Sequence, residues 1–375
     1  MAHCRPLSTT ALILGAALAA ASVGAAPIER QETVRAGRVR SVAVENLVGS
    51  VQVLPADGEE LSVEFTVVAG GDEAAALAAS VRFVTRQDGD RLSIEVDYPT
   101  RDHRSFRYQP PRGRFESHTE YRGERVRVSS RHGVELHVDA VARVPKGAVL
   151  RFANHVGALS AERVVGDLDL DTGSGAVRAA GNRGALRVDT GSGRVEVSHH
   201  HGQVSVDTGS GGVDLVAVRG DVAADTGSGR VTLRDVQSDR IRIDTGSGGV
   251  EIEDSRGSLE CDTGSGGVRA RNFTAGERVV ADTGSGGVHL EGDLSAVREL
   301  RIDTGSGGAS LVSGTPLDLT LHIEVGSGAI EVDVPGMREV RDDDRDRFDA
   351  VLGKGRGRAV IETGSGGARV RVGGD

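Results

Sequence analysis

Asp-Thr-Gly-Ser-Gly occurs eight times in this chain, starting at Asp171, Asp189, Asp207, Asp225, Asp244, Asp262, Asp282 and Asp303, at steps of 18, 18, 18, 19, 18, 20 and 21 residues. Relaxed copies follow at Glu324 (Glu-Val-Gly-Ser-Gly) and Glu362 (Glu-Thr-Gly-Ser-Gly). A short fixed period is the signature of a repeat architecture. Between the marks lie two alternating apolar runs. One follows the glycines, as in Val195/Val197, Val213/Leu215, Val231/Leu233 and Val250/Ile252; the other precedes the Asp, as in Leu186/Val188, Val204/Val206, Ile241/Ile243 and Leu259/Cys261. Period-two alternation bounded by turn residues is a strand signal. Eighteen residues leave no room for a crossover helix between parallel strands. The predicted fold is therefore all-β: a parallel β-solenoid of two-strand coils of 18–21 residues, each rising about 4.8 Å above the last.

The turn chemistry is read in the same way. The glycines are expected to supply positive φ at a sharp corner. The eight Asp are expected to accept backbone N–H groups there as Asx-turns, which makes them structural turn residues. Length changes fall in the opposite turn, at Asn272–Gly276 and Gly292–Arg298 among others, and a variable turn on a repeat scaffold is where binding often sits. Outward positions pair charges between coils, with Arg242 below Glu260 and Glu251 below Arg269. Cys261 falls on an inward position and reads as a small buried hydrophobe.

Composition agrees with a thin core. Aromatics are 3% of the chain, Trp is absent and Gly is 54 of 375 residues, without the every-third spacing of collagen. Two cysteines cannot make a disulfide framework, and a net charge of −10 argues against nucleic acid as a partner. Residues 1–25 read as a signal peptide: Arg5, an apolar run from Ala11 to Val23, and small residues to Ala25. No later run is long and apolar enough for a transmembrane helix. The expected mature protein is exported to the periplasm, cell surface or medium.

Eight of the ten aromatics precede residue 153. That shift predicts a β-rich N-terminal head or cap over 26–153, solenoid repeats over 154–334, and a C-terminal loop with a capping strand pair over 335–375. Within the head, Arg101–Arg131 holds nine Arg against four acids, interleaved with aromatics. Its Arg104, Phe106, Arg107, Tyr108, Arg112, Arg114 and Tyr121 form one candidate ligand surface. The variable edge, with Arg183, Arg219 and Arg256 at coil-matched positions, supplies the other.

Val44-Glu45-Asn46-Leu47-Val48-Gly49-Ser50-Val51-Gln52-Val53, Val144-Pro145-Lys146-Gly147-Ala148, the Thr-Gly-Ser-Gly-Gly-Val repeats and Leu352-Gly353-Lys354-Gly355 together resemble a bacterial family known as putative adhesins, a domain of unknown function. The resemblance covers nearly all of the mature chain. It implies an exported β-solenoid and brings no catalytic residues with it.

Three motifs invite other readings. Asp-Thr-Gly-Ser resembles the aspartic-protease loop, but that chemistry needs two facing carboxylates sharing a proton, not a column. A column of Asp repels itself unless the carboxylates are hydrogen-bonded or a cation intervenes; a calcium-stabilised export module is one alternative, although calcium β-rolls carry Gly-Gly-x-Gly-x-Asp on both turns. His199-His200-His201 are adjacent, cannot all face one ion, and read as an adventitious surface cluster. A polysaccharide-processing β-helix enzyme is the remaining alternative; it needs acid and base converging in a groove. The leading expectation is a non-enzymatic adhesin-like binding or scaffold module without cofactor or metal. Its expected partner is an anionic glycan, the envelope surface or another protein.

Overall fold

The computed structural model describes residues 15–18, 27–109 and 114–373, with backbone only for 15–18 and 339–344. The signal peptide expected over 1–25 thus lies outside the described residues, except for Gly15–Leu18, a short strand antiparallel to Ile28–Ala36. The chain forms two compact units, Met1–Gly184 and Ala185–Asp375.

In the second unit the repeats stack as parallel coils. One ladder places the aspartates in register, Asp189 beside Asp207, Asp225, Asp244, Asp262, Asp282 and Asp303 in turn. A second ladder aligns Val195, Val213, Val231, Val250, Val268, Val288 and Ala309. Inward Val, Leu and Ile from both ladders are buried, and this repeated apolar stripe is the main stabilising term. Outward, Arg242 lies 3.6 Å from Glu260, and Glu251 stands opposite Arg269. Such exposed pairs contribute roughly 0.2–1 kcal/mol each and disfavour slipped register.

The coils that carry His201 to Asp293 also have a third, narrow side. His201, Arg219, Gln237, Arg256, Thr274 and Asp293 pair in sequence along it. Beneath them His200, Val218, Val236, Ser255 and Phe273 are buried. Entry to this side is a left-handed corner, with φ of 53° at His199, 55° at Ala217, 51° at Asp235 and Asp254, and 48° at Asn272. One or two paired residues are too few to show as alternation.

The Asp-Thr-Gly-Ser-Gly corner works differently from its sequence reading. Thr, not Asp, satisfies the turn. Buried Thr226 accepts the N–H of Gly229 through Oγ1 at 3.0 Å and donates to the Gly211 carbonyl of the neighbouring coil at 3.1 Å. Thr245 and Thr263 repeat both bonds. Asp207, Asp225, Asp244, Asp262 and Asp282 are the penultimate residues of their strands, exposed to solvent. The corner glycines do not have positive φ. They are needed because the coils touch there: a Cβ on Gly229 would lie 1.8 Å from the Gly211 carbonyl oxygen, and one on Gly248 1.7 Å from that of Gly229.

The far end is out of sequence order. Gly357–Thr363 pairs with Glu299–Thr304 on one flank and Leu319–Val325 on the other. Ala368–Val372 likewise lies between Ala309–Ser313 and Ile330–Asp333. The last strand pair, expected as the cap, is therefore the penultimate rung. Leu319–Asp333 is outermost, and a hairpin of Arg338–Asp344 and Arg347–Val351 covers its first strand in antiparallel fashion. The outward carboxylates continue in spatial order, Asp303, Glu362, Glu324.

In the first unit the same coil geometry already appears in Ser41–Val48 and Val51–Pro55, which stack on Ala148–Val156 and Leu159–Glu162. Leu61–Ala69 runs antiparallel to Val134–Val144, and Arg82–Asp88 antiparallel to Arg91–Asp97. One short helix, Ala74–Ser80, buries Ala74, Leu77 and Ala78.

Candidate functional site

Among the described residues, the arginine- and aromatic-rich segment contributes three strands of a small sheet. Ser105–Arg107 pairs with Glu124–Ser129, which pairs antiparallel with Glu116–Tyr121. This strand alternation turns its rings inward. Phe106 is 0% and Tyr121 1% exposed, and both meet Tyr98 edge-on, with centroids 5.6 and 6.1 Å away. Tyr121 donates to the Val96 carbonyl, and Tyr98 to that of Val48 at 2.8 Å. Burial raises the Tyr98 and Tyr121 hydroxyl pKa values and pushes that of Tyr108 up to about 12. Tyr108 packs on Phe115 and His137.

The aromatic half of the expected ligand surface is therefore core. Four of the segment's arginines are paired: Arg104 with Glu124 at 3.0 Å, Arg107 with Glu135 at 2.6 Å, Arg127 with Glu116 at 2.8 Å, and Arg122 with Asp97. Arg114 is exposed, and Arg112 lies outside the described residues. His155 secures the sheet to the rung beneath, its Nε2 3.2 Å from Glu45 and its Nδ1 3.0 Å from Thr119. The hydrogen bond from His155 holds the Glu45 carboxyl below its ordinary pKa. Nothing in the spacing of Glu45, Thr119 and His155 announces this contact.

The variable edge is more open. Arg183 is exposed beside Val165 in the first unit. In the second, Arg219 and Arg256 stand on the narrow side with Gln237 between them. Arg219 grips both carboxylate oxygens of Asp235 at 3.0 Å. Arg256 is exposed and lines a cavity of about 700 Å³ with Asp221, Gln237, Asp239, Thr274 and Glu277. Three carboxylates and one guanidinium make this a mixed polar site, so the surroundings of Arg256 are not the basic strip that its place on the variable edge suggested. Asp221 is anchored by the Arg240 backbone N–H at 3.1 Å. The histidine run does not converge: His199 and His201 are exposed, whereas His200 is 1% exposed.

The carboxylate column borders a hollow of about 260 Å³, where Asp207, Asp225 and Asp244 stand with Arg187 and Arg242. Asp225 has a raised pKa from partial desolvation and from Asp244 and Asp207 on either side, and Asp282 from desolvation, Asp303 and Asp262. Among the described residues, no three His, Cys, Asp or Glu side chains are grouped to hold a metal ion. A second hollow, about 670 Å³, lies over Gly249, Gly267, Gly287, Gly308 and Gly367 and is flanked by Glu251, Arg269 and His289. Among the described residues no helix is long and apolar enough to cross a membrane.

Known structures resemble the chain at low identity. A putative cell adhesion protein from Clostridium sporogenes matches at 8% identity, covering 92% of this chain and 100% of that one with a TM-score of 0.19. A putative lipid binding protein from Parabacteroides distasonis matches at 9%, covering 91% and 97% with a TM-score of 0.31. A putative adhesin from Parabacteroides merdae matches at 11%, covering 75% and 95% with a TM-score of 0.25. No curated protein matches. The model of the family described as Toastrack DUF4097 matches residues 141–313 and 201–367. More than half of the sequence is covered, and the chain belongs to the Toastrack DUF4097 family.

Proposed function

We propose that the protein is an exported, non-enzymatic binding module of the bacterial envelope or surface, which engages a hydroxyl-rich glycan at the cavity around Arg256. The observation that carries this reading is the lining of that cavity. Asp221, Asp239 and Glu277 offer acceptors to sugar hydroxyls, and Arg256 and Gln237 offer donors. Net negative lining favours a neutral or weakly charged glycan over a polyanion. The recurring carboxylates support the non-enzymatic part. They succeed one another along a strand edge, one per rung, whereas glycoside hydrolysis needs two converging on one bond.

The test is retention of a neutral and an acidic polysaccharide by the exported protein, with reducing-end release measured alongside. Saturable retention of the neutral glycan, lost in Arg256→Ala and without release of sugar, supports the reading. Turnover of either polymer, or retention unchanged in Arg256→Ala, overturns it.

A further inference from the structure

The outermost rung of the second unit is finished on one side only. Its strand Leu319–Val325 is covered by the Arg338–Val351 hairpin. Its other strand, Ile330–Asp333, pairs inward with Ala368–Val372, and no described residue pairs with its outer side.

Three observations mark an unfilled rung position. The first is the backbone. Along this ladder each leading inward residue donates its N–H to the next rung: Val250 to Gly267 at 2.9 Å, Val268 to Gly287 at 3.0 Å, Val288 to Gly308 at 3.0 Å, Ala309 to Gly367 at 2.9 Å, and Ala368 to Ala329 at 3.0 Å. Ile330 is next in the column, and among the described residues nothing beyond it accepts. Parallel-strand alternation gives Val332 the same outward direction.

The second is burial. Val250, Ile252 and Val370 are sealed, whereas Ile330 and Val332 in the equivalent inward positions remain half-exposed. The third is charge. Inside the stack Glu253 has a guanidinium on each flank, Arg234 at 3.2 Å and Arg271 at 4.0 Å. Glu331 and Asp333 have one flank supplied, by Arg369 at 2.7 Å and Arg371 at 3.7 Å, and the other open.

We propose that the free edge of Ile330–Asp333 accepts an extended segment of another protein, added as one more parallel rung, in which apolar residues alternate with arginine or lysine. Main-chain bonds to Ile330 and Val332 supply affinity, and the two carboxylates select the basic residues. The chain's own Ala368-Arg369-Val370-Arg371-Val372 shows the pattern that fits, since it occupies the inner side of the same strand in register. A second copy meeting this edge through its own Ile330–Asp333 would set carboxylates against carboxylates, which is unfavourable. The inference concerns a different surface from the Arg256 cavity and stands without it.

The experiment uses the full chain and a fluorescent peptide, Gly-Ser-Gly-Gly-Ala-Arg-Val-Arg-Val-Gly, followed by anisotropy. Saturable binding is expected, weakened at least tenfold when both peptide arginines are replaced by glutamate. Val332→Pro, which removes an edge N–H, should weaken it at least tenfold. The double variant Glu331→Lys, Asp333→Lys should reverse the preference between the two peptides, and it tests the proposal even if Val332→Pro misfolds. No saturable binding, equal binding of both peptides, or a wild-type dimer that Val332→Pro abolishes would overturn it; the last would show that a second copy fills the edge.

Discussion

Arg369 and Glu331 face each other on adjacent rungs, Nε to carboxylate oxygen at 2.7 Å, although 38 positions separate them in the chain. On its other flank Arg369 stands opposite Ser310. The chain reaches this place by passing beyond the outermost rung and returning through Leu352–Arg356. Asp318 holds the return, accepting the backbone N–H groups of Lys354 at 2.8 Å and Arg356 at 3.2 Å. Removing that anchor in Asp318→Ala should speed amide exchange across Gly357–Val372 and leave Leu186–Thr226 unchanged. Unaltered exchange in the last coil would show that Asp318 does not hold it.

The Thr corner makes a second expectation. Thr226→Val keeps shape but leaves the Gly229 N–H without its acceptor in a buried corner. A cost of roughly 1–3 kcal/mol is expected in urea unfolding, from the stranded donor. Thr226→Ser should recover most of it. Equal stability of the Val variant and wild type would contradict the capping role.

The carboxylate column gives a pH dependence whose sign follows from its cause. Desolvation and the flanking Asp244 and Asp207 raise the Asp225 pKa on folding. The folded state therefore binds the proton more readily than the unfolded chain, and this group's contribution to stability falls as pH rises through the folded pKa. Asp225→Asn should melt higher than wild type at pH 7, with the gain shrinking as the solution is acidified into the carboxylate range. A gain independent of pH, or a loss at pH 7, would count against repulsion along the column.

Much of the solenoid was legible because its signals repeat: the Asp-Thr-Gly-Ser-Gly period, the inward Val and Leu, the buried Cys261. Roles inside the repeat were not. Asp and Thr are adjacent, and the strand runs one residue further than the alternation suggested, so Asp faces water and Thr turns inward. The narrow side escaped notice because it pairs only one or two residues per coil, with Asp235, Asp254 and Asn272 at its left-handed corner as the available clue. The candidate site was harder still. Phe106 and Tyr121 among arginines look like an exposed ligand surface, and only pairing across the small sheet shows that they point into the core.

That burial changes what the segment should do on mutation. Phe106→Ala should cost about 3–5 kcal/mol, the range for losing a buried aromatic ring. Arg114→Ala, at an exposed position, should stay within about 0.5 kcal/mol. Comparable small effects in both would return the segment to the role of a free binding loop. Deleting Asp102–Arg125 removes Phe106 and Tyr121 together and is expected to destabilise the first unit.

The free edge, the half-covered end and the threaded last coil all depend on one stacking order, and engineered disulfides test it directly. Ser310 and Arg369 are in register on adjacent strands, at a spacing of about 4.8 Å that a disulfide spans. Ser310 and Glu331 flank Arg369 on opposite sides, at about 9.6 Å, beyond disulfide reach. In a Cys4→Ala, Cys261→Ala background, Ser310→Cys with Arg369→Cys should cross-link rapidly on mild oxidation of the folded protein, and Ser310→Cys with Glu331→Cys should not. The opposite outcome, fast linkage of 310 to 331 and none of 310 to 369, would mean that the coils stack in sequence order and would contradict the account.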